Sequence, residues 1–240
     1  MKISNKKIII LIFVFLIILL LSISIILANN SSKKTNFKTN KEKIYYEIKY
    51  YDTQIIYMIN MLNNIEQKDS FYIDWKELQK RTKILHNYWN SAILDLNYLD
   101  INKKNLTDFG KNLDNLSVSI NNNNKDNTLN NLLNLYQKII TYSESLNDDY
   151  YNTLLNIKYN LLFAYSIAEK ENWTLTHEYI LKSSENISNL LNSIEYNKYT
   201  QYNINKAYIA VKELENLINI KDLEVFYFKY HTAINKLNIL

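Results

Sequence analysis

The pattern of apolar and polar positions divides the chain into two unlike parts. Residues 8–28 form an apolar run in which the only polar side chains are Ser22 and Ser24. At about 1.5 Å of rise per residue, a helix of this length covers about 30 Å, the thickness of the hydrocarbon core of a bilayer. We therefore predict a transmembrane anchor at 8–28, preceded by a basic N-terminal tail at 1–7.

The same segment also has the order of a cleaved signal peptide, in which a basic tail precedes an apolar core. However, the apolar run exceeds the core of about seven to fifteen residues that signal peptides usually have, and Ile26-Leu27-Ala28 is a poor cleavage site. These two features favour an uncleaved, single-pass signal-anchor. The chain has no cysteine, which excludes attachment to the membrane through a lipidated cysteine.

Residues 29–43 are polar, basic and aperiodic, and we predict a juxtamembrane linker there. The lysines of this linker are candidates for contact with anionic lipid headgroups, and a plain solvated spacer is the alternative. They are Lys33, Lys34, Lys38, Lys41 and Lys43.

The orientation of the anchor follows from the basic residues on its two sides. The count of basic residues near the anchor slightly favours a cytoplasmic location for the part of the chain that follows it. A short basic tail before the first apolar run is nevertheless typical of a signal anchor, so we predict an extracytoplasmic domain.

From Ile44 to the C terminus, apolar residues recur at spacings of three and four, as they do on one face of an amphipathic helix. The pattern predicts an all-α domain at 44–240, with about eight helices in four antiparallel hairpins. Asp74, followed by Glu77, predicts the N-cap of the second helix. The predicted breaks between or within hairpins lie at 67–70, 121–127, 170–172, 195–203 and 221–222.

Composition supports long helices rather than strands. The chain contains one glycine, Gly110, and no proline, whereas tight strand turns usually recruit both residue types. Gly110 falls inside a predicted helix, where it is explained by close approach of a neighbouring backbone. The hairpins form either one elongated stack or two four-helix units at 44–147 and 148–240.

The predicted turns share a lysine followed by an acidic residue, which suggests a repeated helical hairpin. The pairs are Lys68-Asp69, Lys125-Asp126, Lys170-Glu171 and Lys221-Asp222. Trp75 and Trp173 each open a returning helix and relate the first hairpin to the third. Chance recurrence of the dipeptide in a lysine-rich chain is the alternative.

The stretch from Ala164 to Ser184 resembles a tetratricopeptide-type hairpin over the length of one hairpin. Ala164, Thr176 and Ser183 occupy its small-residue positions, and Lys170-Glu171-Asn172-Trp173 resembles its turn and aromatic opening. The resemblance implies a helical module that binds peptides or partner proteins.

Charge and local motifs argue against several classes of function. Of the 28 basic residues, eight lie in residues 1–43 with one acidic residue, so the remainder carries 20 basic and 23 acidic side chains. A mildly acidic domain argues against nucleic-acid binding. His86, His177 and His231 lie on three different predicted helices, beside the core stripes, and lack metal-ligand spacing. We predict no enzymatic activity, no cofactor and no metal.

Aromatic residues give the sharpest candidates for a binding surface. One group lies in the predicted connection at 195–203, and another crowds the last helix beyond what a single stripe buries. The candidates are Tyr196, Tyr199, Tyr202, Tyr227 and Phe228. Core packing in a tyrosine-rich chain is the alternative.

We thus predict a membrane-anchored, non-enzymatic helical interaction or scaffold module that holds a protein partner near the bilayer. The alternative is an extracytoplasmic sensor domain that binds a small molecule or a cell-wall fragment in an aromatic-lined groove.

Overall fold

Long helices separated by short turns account for nearly all of the residues that the structure describes. This computed structural model describes residues 41–62, 73–96, 101–193 and 198–240. Those ranges contain eight helices and no strand, which confirms the all-α prediction for this part of the chain. The helices are α1 (41–62), α2 (Trp75–Leu96), α3 (Lys103–Asn121), α4 (Lys125–Glu144), α5 (Asp149–Ala168), α6 (Trp173–Ser193), α7 (Lys198–Leu217) and α8 (Leu223–Leu237).

The apolar stripes read from the sequence are the buried faces of these helices. On α1, six stripe residues are each no more than 2% exposed: Ile44, Ile48, Tyr51, Ile55, Met58 and Leu62. Burying a side chain of this size contributes about 1.5–3 kcal/mol, so the stripe supplies the main stabilisation of the helix. The predicted helical periodicity of this segment is therefore confirmed.

Asparagine and aspartate side chains begin most of the helices. The predicted cap of α2 is confirmed, because Asp74 Oδ1 accepts a hydrogen bond from the Glu77 backbone N–H at 3.0 Å. Caps of the same kind begin α3, α4, α5 and α8 at Asn102, Asn124, Asp148 and Asp222. Each cap satisfies a backbone donor that the first helical turn leaves without an intrahelical partner.

The turns reach left-handed backbone conformations without glycine. Asn123, Asn147, Glu171 and Lys221 have φ values of 51°, 51°, 59° and 53°. The Cβ of any residue other than glycine disfavours this region, but the short polar side chain of asparagine can offset the cost by hydrogen-bonding to the nearby backbone, which glutamate and lysine do less readily. The chain therefore makes its sharp reversals despite having a single glycine.

Three predicted boundaries were wrong, each because polar residues extend a helix. The break at 121–127 is shorter, since α3 ends at Asn121 and α4 begins at Lys125. The connection at 195–203 ends earlier, because α7 begins at Lys198. The linker at 29–43 overlaps α1, which already includes residue 41. The terminal turns of a helix can remain solvated, so the apolar stripe does not mark them.

Consecutive helices pack against each other in antiparallel pairs. Between α4 and α5, the Tyr136 and Tyr159 rings lie 6.2 Å apart, and Ser143 Oγ lies 3.2 Å from Asn152 Oδ1. The residue numbers of the two partners run in opposite directions, as they do in a hairpin.

Helix α8 contacts α5 as well as α7. Residues Tyr45–Leu240 group as one compact unit. The finer division at 147–148 stays a prediction.

Gly110 lies where α3 packs on α2. A Cβ atom at this position would lie 3.4 Å from Trp89 Nε1, and the Trp89 ring stacks on Phe109 at 4.3 Å. The close neighbour of Gly110 is thus an indole side chain rather than the expected backbone.

The small residues of the tetratricopeptide-like stretch lie between α5 and α6. Ala164, Thr176 and Ser183 are fully buried, and Ser183 Oγ donates to the Ile157 carbonyl across the pair at 3.2 Å. The resemblance itself stays a prediction.

Among the described residues, no helix combines the length and apolarity needed to cross a bilayer. The predicted tail at 1–7 and anchor at 8–28 lie outside the described residues.

Candidate functional site

Exposed apolar side chains concentrate on the C-terminal hairpin. Of the twelve large hydrophobic side chains that are exposed in the described ranges, seven lie between Tyr199 and Ile239. Isolated exposed apolar residues are common on any protein surface and need no explanation, but a cluster on one surface often marks an interaction site.

Helix α7 carries an exposed stripe on the side away from its buried face. Tyr199, Tyr202 and Ile209 are 71%, 55% and 56% exposed, and the ammonium group of Lys206 lies 4.2 Å from the centroid of the Tyr202 ring. At about 100° per residue, these four side chains fall within an arc of about 80°. The buried residues Ile204 and Val211 point elsewhere.

The exposed side of α8 lies next to this stripe. Glu213, on the stripe side of α7, forms a 2.6 Å ion pair with Lys229 of α8. Phe228 and Val225 precede Lys229 on α8 and are 58% and 38% exposed. Because α7 and α8 run in opposite directions, these two residues lie beside the C-terminal part of α7, and Tyr199 and Tyr202 lie towards its N-terminal end. We call this surface the α7–α8 face and define it by its apolar residues Tyr199, Tyr202, Ile209, Val225 and Phe228.

The structure separates the predicted partner-binding residues into three groups. Tyr199, Tyr202 and Phe228 belong to the α7–α8 face. Tyr196 lies outside the described residues. Tyr227 is only 4% exposed and contacts Tyr165 of α5 at 5.7 Å, so it is part of the core and not of a surface. The expectation that α8 buries a single stripe was wrong, because α8 packs against both α5 and α7.

Sequence reasoning missed Ile209 and Lys206. The available signal was their spacing from Tyr202, since positions four and seven residues further along a helix return to the same side.

Two of the five predicted headgroup lysines can be placed. Lys43 is exposed and Lys41 is half-buried, and both lie in the first described turn of α1. Lys33, Lys34 and Lys38 lie outside the described residues. Headgroup contact by these lysines stays a prediction.

A buried polar network joins three helices in the core. Lys158 Nζ of α5 lies 2.8 Å from Asp52 Oδ2 of α1, with the two side chains 5% and 6% exposed. The other carboxylate oxygen of Asp52 accepts a 2.5 Å hydrogen bond from the hydroxyl of Tyr136 on α4. The carboxylate of Asp52 on α1 thus contacts both α4 and α5.

Burial also changes the ionisation of the core tyrosines. Desolvation, followed by the nearby Asp52 carboxylate, raises the pKa of Tyr136 well above its ordinary value. Desolvation is likewise the main cause that raises the pKa of Tyr165 and Tyr230. These phenols therefore stay protonated and neutral at any physiological pH.

The three histidines do not converge. His86 Nε2 lies 2.8 Å from Ser117 Oγ, and the His231 ring packs on Tyr227 at 4.2 Å. They belong to α2 and α8, and His177 belongs to α6. In the described ranges, no group of three or more potential ligands is placed to hold a metal ion.

A polar depression lies where the α3–α4 hairpin turns. It is lined by Asn115, Val118, Ser119, Asn122, Asn124, Asn127, Asn130 and Asn131. Its lining contains no aromatic side chain, unlike the groove expected of the sensor alternative. Carboxamides donate and accept hydrogen bonds, which suits a polyhydroxylated ligand.

No family model, curated protein or solved structure matches this chain.

Proposed function

We propose that this chain is a single-pass membrane protein, anchored by 8–28, whose helical domain holds a protein partner near the bilayer without catalysing a reaction. The observation that carries this proposal is the α7–α8 face. It presents three aromatic rings and two aliphatic side chains to solvent on one hairpin.

The chemistry of this face suits a protein surface. Tyrosine and phenylalanine are enriched in the cores of protein interfaces, where each contributes a large contact area at a low cost in side-chain entropy. Lys206 and the Glu213–Lys229 pair border the apolar residues, as polar groups do at the rim of an interface. The tetratricopeptide-like stretch at Ala164–Ser184 supports the same kind of function.

The predicted anchor and basic tail decide on which side of the membrane the α7–α8 face lies. The basic tail at 1–7 favours a domain outside the cytoplasm, where the partner is then found. The linker lysines supply a second, electrostatic attachment to anionic lipids.

Site-specific photo-crosslinking tests the proposal in cells that express the full chain. A benzophenone amino acid placed at Tyr202 is expected to yield a discrete crosslinked species, because this side chain lies within the α7–α8 face. The matched control is Leu94 of α2, which is 70% exposed but lies away from the face. A ladder common to both positions, or no adduct at Tyr202, would contradict the proposal.

An extracytoplasmic sensor is the second candidate, favoured by the asparagine-lined depression between α3 and α4. It predicts no adduct at Tyr202 and thermal stabilisation of the chain by a soluble cell-wall saccharide.

A further inference from the structure

We propose that the partner on the α7–α8 face is a second copy of this chain, with the two α7 helices packed antiparallel about a two-fold axis. This inference rests on the proposed function and names its partner. It is carried by the arrangement of charge along α7 and by the exposed apolar area of the face.

The charges on the exposed side of α7 are self-complementary. Lys206 and Glu213 lie seven residues apart, and therefore on the same side of the helix. In the described part of the chain Lys206 contacts the Tyr202 ring and forms no ion pair. An antiparallel copy whose axis passes beside Ile209 places Lys206 of each chain opposite Glu213 of the other. Every contact then occurs twice, as a closed two-fold interface requires.

The same register brings apolar groups together. Ile209 of one copy meets Ile209 of the other near the axis, while Tyr202 lies over the end of the opposing helix, near Leu217. Ile209 is 56% exposed and Leu217 is partly exposed in the single chain. In this register the two Ile209 side chains meet at the centre, and an ion pair between Lys206 and Glu213 lies on each side of them. An antiparallel copy therefore accommodates both the apolar and the charged residues of the stripe.

The area sets the expected strength of the interaction. With about 200 Å² for a whole aromatic side chain, Tyr199, Tyr202 and Phe228 together expose about 370 Å². Including the two aliphatic residues, two copies cover about 1,000 Å², at the lower limit of specific interfaces. We therefore expect weak association in dilute solution and substantial association on a membrane, where anchoring raises the effective concentration.

Cysteine crosslinking of the full chain in membranes tests the arrangement, since the chain has no natural cysteine. Ile209→Cys, treated with a short bifunctional maleimide, is expected to form a dimer of the chain. The control Val118→Cys, 58% exposed on α3, is expected to stay monomeric. A dimer of equal yield from both variants would overturn the proposal, because it would reflect random collision.

Exchanging the charges of Lys206 and Glu213 distinguishes a loss of the predicted contact from a general loss of structure. In the Ile209→Cys background, Lys206→Glu is expected to lower the dimer yield at least about threefold, since it sets two like-charged pairs across the axis. Adding Glu213→Lys together with Lys229→Glu, which keeps the ion pair between α7 and α8 with its charges exchanged, is expected to restore the yield. An unchanged yield in Lys206→Glu, or no recovery in the exchange, would overturn the predicted register.

The proposed function can survive the failure of this inference. An adduct of Ile209→Cys with a different protein, without a dimer, would overturn the second copy and leave the interaction module in place. No adduct at Ile209→Cys and none at the Tyr202 photo-crosslinker would overturn both.

Discussion

Raising the pH above about 10 is expected to unfold the helical domain in one cooperative step. Six tyrosines are nearly fully buried, and burial is the main cause that raises the pKa of each above the ordinary value of about 10. They are Tyr51, Tyr136, Tyr142, Tyr151, Tyr165 and Tyr230. In the unfolded chain these phenols lose their protons near pH 10, whereas in the folded chain they keep them.

The sign of the effect follows from proton binding. Above pH 10 the folded state binds more protons than the unfolded state, so the free energy of unfolding falls as the pH rises. Each buried tyrosine contributes about 1.4 kcal/mol per pH unit until the pH reaches its folded pKa. Because several act together, about two pH units suffice to cancel a typical stability of about 5–15 kcal/mol. Below pH 10 the tyrosines leave the stability unchanged.

A pH titration followed by circular dichroism and by tyrosinate absorbance checks this prediction. The loss of helix and the ionisation of the buried phenols are expected to coincide. Tyr230→Phe should move the midpoint to higher pH, because it removes one ionisable group whose hydroxyl has no hydrogen-bond partner among the described residues. The control Tyr199→Phe, on the exposed surface, should leave the midpoint in place. Complete tyrosine ionisation with the helices intact would refute the prediction.

Replacing Lys158 by methionine is expected to lower the free energy of unfolding by about 3–5 kcal/mol. The substitution removes the cation that lies 2.8 Å from Asp52 and leaves a buried carboxylate without a counter-charge. The matched control is Lys182→Met. Lys182 also forms a close pair, with Glu178 at 2.7 Å, but both side chains are about half exposed. Surface pairs of this kind contribute about 0–1 kcal/mol, so the control should unfold almost as the natural chain does.

The double variant Asp52→Asn with Lys158→Met distinguishes charge from packing. It removes both charges and keeps an oxygen that accepts the Tyr136 hydroxyl, so most of the lost stability is expected to return. Equilibrium urea unfolding of the full chain in mild detergent measures all four proteins. Equal losses in Lys158→Met and the double variant would show that the aliphatic stem of Lys158, and not its charge, stabilises the core.

Helical periodicity predicted the fold because the buried face of a helix is visible in the sequence as apolar residues three and four positions apart. The stripe from Ile48 to Leu62 and the cap at Asp74 are both properties of a few neighbouring residues. Helix ends were less accurate, as at Lys125 and Lys198, because the first turn of a helix can be wholly polar.

Contacts between helices that are far apart in the chain were harder to predict from the sequence. Asp52 lies between Ile48 and Ile55 on the buried side of α1, and Lys158 lies among leucines on α5. Each is a charge at an apolar position, which indicates a buried partner, but no local rule pairs two residues 106 positions apart. The burial of Tyr227 has a similar origin, since it depends on α5 packing against a helix that is more than fifty residues later in the chain.

The measurement that tests the central claim most directly is the membrane topology of the helical domain. A single cysteine at Asn122, exposed in the α3–α4 turn with φ of −86°, fits the backbone better than one at Asn123, with φ of 51°. An anchored, extracytoplasmic domain predicts labelling by a membrane-impermeant maleimide in intact cells and sedimentation of the labelled chain with membranes in high salt. Labelling only after lysis, or recovery of the chain in the soluble fraction, would contradict the account.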